Sequence, residues 1–151
     1  MNIITEPATM ENIKTRIQKL DENSVRQWGK MNVDQMLSHC IDGLRMIIGE
    51  LKTDKKAPKL IQFLLKTFVI NGKQFPKNSP TAAELNRHKT PGFQSKNIAE
   101  AKQTLLTYID KLKNASDDQF GEHPAFGKMS KTEYGVLVYK HLDHHLRQFG
   151  V

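Results

Sequence analysis

Three of the chain's six histidines fall within the five residues His141-Leu142-Asp143-His144-His145. Imidazole is the commonest metal ligand among side chains and titrates nearest neutrality, so this cluster points to metal binding or proton transfer. His141 and His145 are four apart. On a helix they stack on one face, one turn apart, where both rings reach the same ion. Tyr134, Val138, His141 and His145 share a ridge about 60° wide at 100° per residue, flanked by Leu137, Leu142 and Phe149. The pair therefore points toward the core. One core histidine is ordinarily structural; two on one inward ridge must both hide polar nitrogens, which favours a metal. His144 lies about 100° round from His145, nearer Arg147, and falls outside the direct ligands.

A catalytic site of this type takes a third protein ligand and keeps an open position. His39 is the candidate, near the middle of a helix predicted over 33–51. It is rotated about 130° from the centre of that helix's apolar stripe, on a face shared with Gln35, Asp42, Gly43 and Met46. By spacing alone His39 is either a surface histidine or one that borders a groove where the core opens. The single cysteine, Cys40, falls at the centre of the stripe and packs there. Thiol chemistry would need an external thiol.

The elements that position these residues are helical. The first helix is predicted over 10–20, capped by Thr9, with Met10, Ile13, Ile17 and Leu20 inward. The second begins with a capping box, Asn32 with Gln35, stapled by Met31 and Met36. The third is predicted over 97–114, capped by Ser95 or Asn97, and the fourth over 131–149, opened by a Ser130–Glu133 box. Between the second and third lie about 45 residues, a length often used for lids. They include a short extra helix over 59–69 and an irregular stretch with Pro76, Pro80, Pro91 and Gly92.

The 151 residues suit one domain, 1–151. No apolar run approaches the roughly 20 residues that span a bilayer. Met1 to Glu11 does not read as a signal peptide. With a single cysteine, these features lead us to expect a cytoplasmic protein. The net charge of +7 permits nucleic-acid binding. However, the densest lysine patch, Lys52, Lys55, Lys56 and Lys59, is interrupted by Asp54 and Pro58 and reads as a solvated link. We expect neither nucleic acid nor membrane as partner; a homodimer is compatible with exposed helix faces.

Trp28-Gly29-Lys30-Met31 and Gln35-Met36-Leu37-Ser38-His39 resemble the start of the second helix in DinB-like (YfiT-like) proteins. His123-Pro124-Ala125-Phe126-Gly127 and Tyr139 through Gly150 resemble the C-terminal signature of an uncharacterised branch of that superfamily. The resemblance implies an all-α, four-helix bundle in up-down-down-up order, with a long crossover between the second and third helices. It implies one divalent metal, Zn²⁺ or Ni²⁺ foremost and Fe²⁺ or Mn²⁺ as alternatives, held by His39, His141 and His145. Characterised relatives include thiol-dependent transferases; the resemblance gives no warrant for DNA repair.

Three neutral imidazoles leave the ion its full charge, which acidifies a bound water or thiol. The expected function is therefore a metal-dependent transferase using a low-molecular-weight thiol, or a hydrolase, acting on a small molecule. The alternative is a non-catalytic metal-binding or interaction bundle. Gln35, Tyr134, His144 and Gln148 are placed to support the ligands or line a pocket. Asp143 is a weaker candidate that reads as solvated. His123, in the loop before the fourth helix, is a candidate acid or base or a turn-stabilising residue. His88 reads as solvated, and Trp28 as a packing anchor.

Overall fold

The computed structural model describes residues 1–53, 56–72, 74–77, 85–87 and 91–151. Among them lie five α-helices and no strand: α1 (Pro7–Gln18), α2 (Val33–Ile47), α3 (Lys59–Asn71), α4 (Ile98–Asn114) and α5 (Lys131–Gln148). A 3₁₀ turn, Asp117–Gln119, follows α4. His88, Pro80, Asp54 and Lys55 lie outside the described residues.

Three helix starts follow from local chemistry. In α2 the Asn32 side chain accepts from the Gln35 backbone N–H while the Gln35 side chain accepts from that of Asn32. Ser130 and Glu133 exchange the same pair of bonds at α5, and Asn97 caps α4 by accepting from the Glu100 N–H. Each satisfies backbone donors that the helix leaves orphaned. The first helix corrects the sequence reading: it starts at Pro7, so Thr9 sits inside the first turn and does not cap. Proline fixes a helical φ and lacks the N–H that would be orphaned there. The second helix also stops early, at Ile47, because Gly49 takes a left-handed φ of 76°.

One core joins α1, α2, α4 and α5. Ile13 and Ile17 meet Leu37 and Ile41, Leu105 and Ile109, and Leu142, all fully buried. α2 packs chiefly on α4 and also on α5; α5 packs on α1 and α3 as well. Asp143 corrects a second reading. It is buried on α5, with Arg16 of α1 at 2.9 Å and Arg147 at 3.0 Å, rather than solvated. No helix among the described residues is long and apolar enough to cross a membrane.

Candidate metal centre

α2 and α5 bring three imidazoles together. One ring nitrogen from each of His39, His141 and His145 lies within 4.8 Å of the others. His39 Nε2 and His141 Nε2 are 2.8 Å apart. Nitrogens bound to one tetrahedral zinc lie about 3.3 Å apart, so the spread of these atoms brackets a metal-binding separation. His39 is only 3% exposed and His145 is buried, while His141 is half-buried.

The partners of two rings fix which nitrogen is free. His39 Nδ1 donates to the Leu85 carbonyl at 3.0 Å, leaving Nε2 bare. Gln148 Nε2 donates to the Trp28 carbonyl at 2.8 Å, so its amide oxygen turns toward His145 and accepts from Nδ1 at 3.0 Å. His145 Nε2 is therefore bare as well. Such hydrogen bonds on the far ring nitrogen orient metal-binding histidines and raise their basicity. Because His39 Nε2 is bare, the 2.8 Å contact is a hydrogen bond in which His141 Nε2–H donates to His39 Nε2. Loading an ion requires that hydrogen to move to His141 Nδ1, on the side facing Gly43.

Electrostatics keep the rings neutral. Burial lowers the pKa of His39, opposed by the Leu85 carbonyl and reinforced by the Arg87 charge. Burial pushes His145 down to about 3 and holds His141 well below its ordinary value. Neutral rings carry the lone pairs a divalent ion needs, so the donor set fits such an ion.

Residues 7–150, nearly the whole chain, match the family described as protein of unknown function (DUF1569). The chain belongs to that family. Neither the curated proteins nor the solved structures yield a match.

In this DUF1569 chain the other candidate residues are placed as follows. His144 sits beside the centre, its ring 5.1 Å from that of His145, wedged edge-on against Trp28 and Phe75. Tyr134 is fully buried and its hydroxyl donates to the Gly121 carbonyl at 2.7 Å. The Gln35 amide oxygen is engaged in the α2 cap. His123 stacks on Phe126 with ring centroids 4.3 Å apart, and its Nδ1 accepts from the Ala125 N–H at 3.1 Å. Burial pushes it down to about 4, so it is neutral with its hydrogen on Nε2. Cys40 is buried, and burial pushes its thiol far above the ordinary range, consistent with packing. Trp28 takes Lys77 over its ring, 4.6 Å from the centroid.

Three residues that support the cluster, Leu85, Asp42 and Gly43, had no assigned role from sequence. Leu85 holds His39. Asp42, on the same helix face, binds Arg87 at 3.0 Å and the Phe93 N–H at 2.9 Å, fastening both to α2. Gly43, one turn after His39, leaves room for His141: a Cβ there would lie 3.3 Å from His141 Cε1 and 3.7 Å from Nδ1. The helical period alone could have flagged position 43, because a glycine in a helix interior costs about 1 kcal/mol relative to alanine. Gly43→Val is expected to displace the His141 ring and weaken Zn²⁺ binding by about tenfold or more. Competition against a chromophoric chelator, with helix content checked by circular dichroism, measures this.

Proposed function

We propose that this protein is a metal-dependent enzyme of the DinB-like superfamily. Its shared core of α1, α2, α4 and α5 would form an up-down-down-up four-helix bundle, and His39, His141 and His145 would hold one Zn²⁺ or Ni²⁺. The observation that carries this is the convergence of three neutral imidazoles, two with bare Nε2 atoms fixed by Leu85 and Gln148. When bound, the ion supplies a charge that acidifies a water or a thiol near neutral pH. The substrates that fit are a low-molecular-weight thiol with an electrophile, or a hydrolysable small molecule. Gln148 and the Leu85 carbonyl orient the ligand rings. His123 contributes a hydrogen-bond donor through Nε2, because its Nδ1 lone pair is already engaged.

A second reading, a binding bundle without catalysis, draws on the burial of His39 and His145. A cleft of about 670 Å³ between Glu22, Ser38, Arg87 and Phe93, and another of about 390 Å³ beside Tyr139 and Lys140, are not lined by any of the three histidines. Cobalt substitution separates the two readings. Adding 2-mercaptoethanol or glutathione to the Co²⁺-loaded protein is expected to produce a sulfur-to-cobalt charge-transfer band in the near ultraviolet. A visible spectrum unmoved by either thiol and by azide would mean a closed coordination sphere and favour the binding bundle.

A further inference from the structure

α3 is amphipathic in the opposite sense from the other helices. Its inward residues are largely polar or held through polar contacts. Gln62 is buried and donates to the Pro124 carbonyl at 3.3 Å. Lys66 reaches Glu133 at 3.1 Å. Lys140 of α5, itself buried, donates to the carbonyls of Val69, Ile70 and Gly72 and so caps the C-terminal end of the helix. Val69 is the one buried apolar side chain of α3.

Leu60, Ile61, Phe63, Leu64, Leu65 and Phe68 face outward, from 38% exposed for Leu65 to 70% for Leu60. Their positions span an arc of about 200° with no charged residue in it; Lys59 and Lys66 project from the opposite side. At roughly 200 Å² per large side chain these exposures amount to about 600–700 Å². That exceeds the largest apolar patch of a typical monomer, about 300–600 Å². It approaches the roughly 800 Å² that each partner contributes to a standard interface.

We propose that this face of α3 is the interface of a homodimer, with α3 packing on α3 of a second copy about a two-fold axis. Area and composition both fit: an uncharged, aromatic-containing centre with lysines at the rim is the anatomy of a protein interface. A two-fold contact is self-complementary, so a single apolar helix face suffices for both copies. Neighbouring charge does not oppose the pairing, because Lys66 is paired with Glu133 and Lys56 with Glu122 within the chain. The proposal is independent of the metal site.

Sedimentation velocity and light scattering on the full chain at roughly 100 µM test it, a concentration above the dissociation constants usual for such areas. Wild type is expected at twice the 17.3 kDa chain mass. Leu64→Glu with Phe68→Glu is expected to give the single chain mass with unchanged helix content. Phe63→Ser, a milder change, is expected to weaken dimerisation at least tenfold. A monomeric wild type overturns the proposal, as does a double variant that still dimerises. If monomeric wild type floats with phosphatidylglycerol vesicles and the double variant does not, lipid covers this face and the second-copy assignment is wrong.

Discussion

Asp42→Ala is expected to cost about 3–5 kcal/mol of folding stability, the usual result of removing one partner from a buried ion pair. Asp42 and the Arg87 side chain are each 3% exposed. The carboxylate also accepts from Arg45 at 2.9 Å and from the Phe93 N–H at 2.9 Å. Its loss takes the carboxylate from a buried guanidinium and the acceptor from the Phe93 N–H together, and each lost acceptor exposes part of the desolvation penalty of the buried group it served. The effect also reaches the three-histidine cluster, since Arg87 lies two residues from the Leu85 carbonyl that holds His39. Urea unfolding of metal-free protein should show a midpoint lower by about 1–2 M or more. Asp42→Asn keeps an acceptor and loses the charge, so it should fall between wild type and alanine. A midpoint unchanged in the alanine variant would mean that residues 85–87 and 91–93 are not fastened through this carboxylate.

The metal-free protein is expected to lose about 4 kcal/mol of stability between pH 7.5 and pH 5. Burial pushes His123 down to about 4 and His145 to about 3, against an unfolded value near 6.5. At pH 5 the unfolded chain has taken up protons at both sites and the folded chain has not. The unfolded state binds more protons, so stability falls as pH falls, by about 2 kcal/mol per histidine at that pH. The loss begins near 6.5 and continues down to the folded values. His39 and His141 are lowered too and act in the same direction. The lowered carboxylates, Glu50, Glu122 and Glu133, cannot imitate this, because their ordinary value of 4.5 places their loss at lower pH. Urea titrations at the two pH values measure it, and equal midpoints would show that the histidines are hydrated.

Much of this architecture is written in local signals. The caps at Asn32, Asn97 and Ser130 set the starts of α2, α4 and α5, because each satisfies orphaned donors within its own first turn. The His141–His145 ridge is equally local, resting on helical period alone. What escapes local reasoning comes from distant chain. By spacing alone His39 reads as either a surface histidine or one that borders a groove, yet Leu85, 46 residues on, supplies the carbonyl that holds it. Asp143 reads as solvated until Arg16, 127 residues earlier in sequence, faces it. The helical wheel places Gly43 on the face of His39, but only the packing of α2 on α5 shows that the missing side chain makes room for His141. The outward apolar face of α3 was hidden for a related reason. Periodicity reports that one side is apolar and leaves open which side meets the core.

The central claim is the three-histidine centre, and metal content tests it most directly. Protein purified without a histidine tag should carry about one equivalent of Zn²⁺, Ni²⁺ or Fe²⁺ per chain, as three converging ligands imply. His39→Ala and His141→Ala, each shown to be folded by circular dichroism, should carry almost none. Wild type that holds no metal, and takes none up when these ions are added, would contradict the assignment and leave the cluster as a hydrogen-bonded core of neutral histidines.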